Sequence, residues 1–259
     1  MNQDGVLEMI HQYKGSCPVC EKSTVFTARH DGPLDPMWHK NWYSASLICE
    51  NCGSYPRQRT LFEALNMLIP NWRDIDMHEC SPDLGASSQK LAAESKSYVA
   101  SQYDRAIPFG SLHPEKGYRS ENIEEQTFPD NAFDLVITQH VFEHIFHPDL
   151  AIREIARTLR PGGYYIMTMP WGGVERSIRR ASLLNGEVVH HMEPIYHGNP
   201  IDDEGSLVTI DWGYDVAGYL NAHSGLATSI LLFDNLEKGM RGSSIDVIAC
   251  RKLAEIPIL

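Results

Sequence analysis

A layered α/β fold with a mostly parallel central sheet is predicted from three observations. From about residue 73 onward, strand-like and helix-like segments alternate. Residues 132–139 (AFDLVITQ) hold an unbroken Leu135-Val136-Ile137 run, as a strand buried on both faces requires. The first 56 residues are rich in Cys, Pro, Gly and Trp and have few long apolar runs. They cannot build a large core alone, so they read as a separate small segment ahead of a body at 57–259.

The elements follow in order. Residues 57–68 place Leu61, Leu65 and Leu68 on one helical face, and Pro70 stops that helix. Residues 74–80 form a strand that ends in a turn at Ser81-Pro82-Asp83. A helix is expected over 84–93 and an alternating strand over 97–103. After the strand at 132–139 comes a helix over 148–160 with Leu150, Ile152, Ile155 and Leu159 inward, ended by Pro161-Gly162-Gly163. Strands follow at 164–169, 226–233 and 244–250, with an irregular insertion at about 170–215.

Composition excludes several function classes. Of 259 residues, 34 are acidic and 22 basic, so 22 − 34 gives a charge of −12. A nucleic-acid binder needs Lys and Arg to neutralise phosphate, and docking on anionic lipid needs the same. Nucleic acid and membrane are therefore not expected partners, and the oligomeric state is not legible. No stretch reaches the roughly 18 apolar residues of a membrane span. Residues 1–15 lack a basic region followed by an apolar one, so no signal peptide is expected. A soluble cytoplasmic protein is the expectation.

Four of the six cysteines form two Cys-x-x-Cys pairs, Cys17/Cys20 and Cys49/Cys52, separated by a spacer of 28 residues (21–48). Each pair suits a tight knuckle aiming two thiolates at one ion, and two knuckles make the tetrahedral four-cysteine set of a structural zinc site. Gly53 allows the positive φ that such a knuckle needs. His30 and His39 are outside candidates for a ligand. A redox dithiol is the competing reading. A nucleic-acid ribbon is disfavoured, because residues 1–72 carry six basic and seven acidic groups.

Residues 122–170 contain Phe128, Asp130, Phe133-Asp134, Val141-Phe142-Glu143-His144, Leu159 and Pro161-Gly162-Gly163 in order. This run resembles the class I S-adenosylmethionine-dependent methyltransferases (methyltransferase type 11-like), here with an N-terminal four-cysteine zinc ribbon. The resemblance implies a Rossmann-like sandwich on a seven-stranded sheet, with cofactor across the carboxyl ends of the strands. It implies a cofactor turn at Glu79-Cys80-Ser81-Pro82-Asp83-Leu84-Gly85, of which the acid and the last glycine match the family pattern. It places Gln102 and Tyr103 at the ribose, Asn122 and Ile123 at the adenine, and Gln139 and His140 beside the methionine end. Gln102 stands where the family has an acid, so it can bond a diol only as a neutral partner. Cys80 lies in this turn, although a lone cysteine more often packs.

His140, Glu143 and His144 follow the strand at 132–139, with His140 and His144 four apart and so on one face of a helical turn. Three readings apply. Glu143 caps and orients a helix start. A histidine removes the acceptor's proton. Or a second divalent metal binds at His140/Glu143/His144, as the Glu-x-x-Glu-His of ubiquinone and small-RNA O-methyltransferases implies. In the insertion, His191, Glu193, Tyr196 and His197 are candidates for the acceptor wall, His191 and His197 as catalytic groups.

The sequence therefore predicts a methyltransferase acting on an oxygen or nitrogen of a small molecule or glycan precursor. The alternatives are a catalytically decayed fold serving as a zinc-stapled scaffold, and an RNA methyltransferase.

Overall fold

The structure, a computed structural model, describes residues 8–31, 43–83, 85–199, 201 and 203–254. His39 and Leu84 lie outside them. The chain divides into two compact units. Among the described residues, no helix is long and apolar enough to cross a membrane.

The first unit comprises Met1–Pro70, Leu84–Glu94 and Leu231–Val247. Strands β1 (Glu8–Cys17), β2 (Lys22–Asp31) and β3 (Ile48–Cys49) form an antiparallel sheet in that order. Helix α1 (Pro56–Leu68) starts with proline at its first position, where the missing N–H is no loss. The Tyr55 N–H donates to Gln58 Oε1 at 3.1 Å, which caps the first turn. As the spacing predicts, Leu61 and Leu65 are fully buried, with Phe62 and Ala64 beside them, while Leu68 is half-buried. A second helix, α2 (Ala86–Glu94), packs on α1.

The second unit is built on the central sheet. Its strands are β4 (Asp76–Cys80), β5 (Ser97–Gln102), β6 (Arg119–Ser120), β7 (Phe133–Gln139) and β8 (Leu159–Thr168), with β15 (Ala227–Leu231) and β16 (Val247–Arg251) at one edge. The order across the sheet is β15-β16-β8-β7-β4-β5-β6. The β4–β5, β5–β6, β4–β7 and β7–β8 pairs are parallel. Chain order runs outward from β4 through β5 to β6 on one side and from β7 to β8 on the other, so the switch point lies between β4 and β7. In an open α/β sheet, ligands bind at the carboxyl ends around such a point.

The helix after β7 departs from its expected form. α3 (Pro148–Thr158) ends two residues early, because Leu159 already pairs with Phe133 as strand. Pro161-Gly162-Gly163 is thus an irregularity inside β8, not a helix stop. Gly162 sits at φ +87, and a Cβ on Gly163 would lie 2.8 Å from the Asp134 carbonyl oxygen. The inward face also differs from the expected one. Ala151, Ile152, Ile155 and Ala156 face inward, and Leu150, expected inward, is exposed. α3 packs on α4 (Val216–Ser224).

The insertion at 170–215 is not irregular, as expected from its composition, but laced by short antiparallel ladders. β9 (Ile178–Arg179) pairs β14 (Ile210–Asp211), β10 (Ala181–Leu184) pairs β11 (Glu187–His190), and β12 (Tyr196–His197) pairs β13 (Ser206–Leu207). The β9–β14 pair joins residues about thirty positions apart, a closure that local composition does not announce. Trp212, in this insertion, is a core residue. It stacks on Phe142 with ring centroids 5.6 Å apart.

One core group predicts a pH dependence. His78 on β4 is buried against Phe128 and Phe133, with Nε2 2.7 Å from Ser101 Oγ. Burial, aided by the Arg119 charge, holds its pKa down to about 3. The unfolded chain takes up this proton near pH 6.5 and the folded chain does not, so stability is complete above that pH and falls as pH drops toward 3. The loss between pH 6.5 and 5 amounts to about 2 kcal/mol. Urea unfolding at pH 7 and pH 5 checks this, because a His78→Gln variant is expected to lose most of the difference.

Candidate active site and cysteine centre

At the end of β4 the chain takes a turn normally left to glycine. Ser81 adopts φ +54, and its N–H donates to the Ser101 carbonyl at 2.7 Å. Gln102 Nε2 donates to the Pro82 carbonyl at 3.0 Å. β5 therefore holds the turn from two sides and preserves a left-handed residue where the family has glycine. Gln102 spends one of its two amide N–H groups on this turn.

Glu79, fully buried, accepts from Tyr98 Oη at 2.7 Å and from Gln139 Nε2 at 3.0 Å. It thus ties the ends of β4, β5 and β7 together. Burial and the Glu79 charge push the Tyr98 hydroxyl pKa far up, so Tyr98 remains a donor. Cys80 packs into the core, and burial raises its thiol to about 11, unsuited to nucleophilic work. Asp83 is partly exposed. Gly85 precedes α2 in the first unit. Tyr103, half-exposed after β5, stacks on Phe109 at 5.6 Å. Asn122 Oδ1 accepts from the Glu124 N–H at 3.1 Å, and Ile123 is buried beside it.

At the end of β7 a second non-glycine residue, His140, is left-handed at φ +54. Its N–H donates to the Thr168 carbonyl at 2.8 Å. His140 therefore precedes the short 3-10 turn Phe142–His144 and does not share a helical face with His144, as the four-residue spacing predicted. Glu143, 2 % exposed at its side chain, lies at the centre instead. Its Oε1 is 3.5 Å from His140 Nδ1, 3.7 Å from His144 Nε2 and 3.8 Å from His197 Nδ1. The third imidazole arrives from β12, so the insertion folds a residue back onto the strand end. Thr209 anchors that return, its N–H donating to the Glu143 carbonyl at 2.8 Å.

The protons of this cluster can be placed. His144 Nδ1 lies 2.9 Å from the Leu207 carbonyl, an acceptor only, so Nδ1 carries the hydrogen and Nε2 presents a lone pair toward Glu143. Burial lowers the His144 pKa to about 4, and burial also lowers His197. Two neutral rings beside one buried carboxylate form a cation-binding or proton-accepting set. Ligand atoms of Glu143, His144 and His197 all lie within 4.8 Å of one another. A ring nitrogen directed by a backbone carbonyl is the usual outer support of a metal-binding histidine.

Other predicted residues stand apart from this cluster. His191 is exposed and lies 2.9 Å from Ser182 Oγ. Glu193 is exposed, but its carbonyl accepts from Arg180 Nη2 at 2.7 Å. Arg180 also pairs with Asp211 at 2.7 Å. His147 is held by Glu124 at 2.8 Å. Neither Arg180 nor the β12 position of His197 carries a local signal, since each depends on pairing across the insertion.

In the first unit, Cys17, Cys20, Cys49 and Cys52 converge. The Cys17–Cys52 sulfurs are 3.8 Å apart and the Cys20–Cys49 sulfurs 4.0 Å. A tetrahedron of zinc–sulfur bonds of about 2.3 Å has edges of ~3.8 Å, so the four donors fit zinc. Gly53 has φ +73, as expected, and the equivalent position of the first knuckle is Glu21 at φ +57. The Glu21 and Gly53 N–H groups both donate back to the first cysteine of their knuckles at 2.8 Å.

Residues 85–167 match the family described as a methyltransferase domain. That match spans the stretch from α2 to β8 and includes the β7 end of the switch point. Its central stretch is a class I methyltransferase domain. The chain is 28% identical over 127 residues to the ubiquinone biosynthesis O-methyltransferase of Agrobacterium fabrum, covering 47% of each chain. It is 27% identical over 124 residues to the ubiquinone/menaquinone biosynthesis C-methyltransferase of Hydrogenovibrio crunogenus, covering 42% of this chain and 49% of that one. The chain thus spans less than half the length of these relatives. Among solved structures, the complex between the Haloferax volcanii Trm112 methyltransferase activator and a methyltransferase contains a similar chain. The TM-score is 0.51 at 10% identity, covering 77% of this chain and 91% of that one. This likeness carries the methyltransferase fold and nothing finer.

Proposed function

We propose that the methyltransferase domain moves a methyl group from S-adenosylmethionine to an oxygen or nitrogen of a small-molecule or glycan-precursor acceptor. The observation that supports this most is Glu143, buried at the carboxyl end of β7 and ringed by His140, His144 and His197. Backbone strain collects at the same place, with Ser81 and His140 both left-handed at the two strand ends flanking the switch point.

The residues fit the cofactor's parts. The Ser81–Asp83 turn offers backbone for close approach, Gln102 and Tyr103 serve the ribose, and Asn122 and Ile123 serve the adenine. Gln139 and His140 border the methionine end. When bound, S-adenosylmethionine supplies an electrophilic methyl for in-line displacement. The chain's own work is positioning the acceptor, excluding water and accepting its proton. His140 is the candidate base, and His197 is a second one where no cation is held there. His144 Nε2, its tautomer set by the Leu207 carbonyl, is a ligand or a hydrogen-bond acceptor. On this reading a divalent cation held by Glu143, His144 and His197 would lower the acceptor's pKa. His197 takes the place that spacing alone gave to His140. The four-cysteine set in residues 1–56 is proposed as structural zinc, stapling a segment ahead of the body at 57–259.

Calorimetric titration with S-adenosylhomocysteine tests the cofactor reading. Micromolar binding that Asp83→Arg abolishes is expected. Absence of binding up to millimolar ligand overturns it and favours the scaffold reading, which the departures at Ser81, Asp83, Gln102 and Asn122 support.

A further inference from the structure

Arg59 is a buried cation placed in the middle of the first unit, with no exposed surface. Its guanidinium lies over the Phe26 ring at 4.7 Å. It donates from Nη2 to the Leu47 and Gly239 carbonyls, each at 2.7 Å, and from Nη1 to the Ser54 carbonyl. None of these acceptors carries a formal charge, and burying an unbalanced charge costs several kcal/mol. Burial lowers the Arg59 pKa to about 10, and the charges of the four nearby cysteines oppose that shift.

Ser54 connects them. Its hydroxyl, fully buried, receives Arg59 Nη1 at 3.3 Å and lies 3.4 Å from Cys17 Sγ and 3.2 Å from Cys52 Sγ. Thr24 Oγ1 stands 3.4 Å from Cys49 Sγ. Once the sulfurs are ionised they can only accept, so the hydroxyls of Ser54 and Thr24 turn their single protons toward sulfur. Arg59 then fills the acceptor side of Ser54.

We propose that Arg59, acting through Ser54, is the built-in counter-cation of a tetrathiolate metal centre at Cys17, Cys20, Cys49 and Cys52. The inference rests on the zinc reading of that site. Four thiolates around a divalent ion carry a net charge of −2 that the interior must balance. Arginine suits this role because it cannot shed its proton and its fork can hold several acceptors at once. The same fork holds the Gly239 carbonyl, where any side chain is barred. A Cβ there would lie 2.6 Å from the Phe26 ring and 2.8 Å from Arg59 Nε. Arg59 is a positioning residue for the metal, and it makes metal occupancy and the packing of the 231–247 segment depend on one another.

Zinc affinity, measured by competition with a chromophoric chelator on the full chain, tests the proposal. Arg59→Met is expected to weaken zinc binding by about 10–100-fold, the range usual for outer-shell partners. A purely structural role would predict the same loss whatever the centre's charge. The cycle is therefore repeated with Cys52→His, which lowers the centre's charge to −1. A clearly smaller loss in that background is expected, and an equal loss overturns the counter-cation role. Should Arg59→Met fail to fold, Ser54→Ala keeps the test decisive. It is expected to speed zinc release several-fold, and an unchanged release rate overturns the relay. If the unmodified chain takes up no stoichiometric zinc, the zinc reading itself fails, and that outcome is distinct from the other two.

Discussion

Glu143→Gln is expected to lower methyl transfer by about 10²–10⁴-fold while leaving the fold intact. The substitution is nearly isosteric and keeps a hydrogen-bonding side chain among the three imidazoles. It removes the carboxylate that faces His144 and His197, two rings whose pKa burial lowers. A carboxylate with a 2 % exposed side chain is costly to bury, so removing its charge does not penalise folding, and the thermal midpoint is expected to hold or rise. Binding of S-adenosylhomocysteine should persist, because the proposal gives Glu143 no contact with the cofactor. Metal content supplies a second readout. If Glu143, His144 and His197 hold a cation, the variant loses it, and wild-type activity falls with a chelator and returns with added metal. If activity is chelator-insensitive yet still lost in Glu143→Gln, the acid acts by orienting a histidine base. A variant as active as wild type would reduce Glu143 to a structural acid and remove the main support for the proposed reaction.

Removing the metal from the cysteine centre is expected to melt the first unit. Structural zinc contributes about 10–16 kcal/mol in small zinc-dependent folds at pH 7. A whole domain is stable by only about 5–15 kcal/mol, so the loss exceeds the margin available. The three-stranded sheet of β1, β2 and β3 pairs just two residues of β3, and the knuckles hang on it. Cys49→Ser is expected to reproduce the effect of the chelator, because Cys49 is both a buried β3 residue and a ligand. Circular dichroism of the strand signal with and without chelator, beside the zinc content, makes the measurement. A chelated chain with unchanged strand signal and thermal midpoint would refute a structural metal.

Much of the framework was legible because it depends on local chemistry. The Leu135-Val136-Ile137 run became the fully buried centre of β7, since only a strand covered on both faces accommodates such a run. The two Cys-x-x-Cys pairs met because each knuckle is a short closed turn, with Gly53 where positive φ was required. The methyltransferase motif over 122–170 marked the switch-point strand by its order of residues. The start at Pro148 was legible, but the inward face was misjudged at Leu150: the buried positions are Ala151, Ile152, Ile155 and Ala156, a helical stripe that Leu150 lies outside.

Only the tertiary structure decided the rest. The left-handed Ser81 is held by β5, a strand twenty residues further on, so no local signal could replace the missing glycine. The surroundings of Glu143 combine a strand end with His197 of β12, brought home by the β9–β14 and β12–β13 ladders. Arg59 looked like an ordinary helix-face residue, and its burial beside four cysteines follows from non-local packing onto Gly239. Sequence periodicity reports which face of an element is apolar, but long-range closure selects which polar groups meet. In this protein that closure determined the chemistry of both centres.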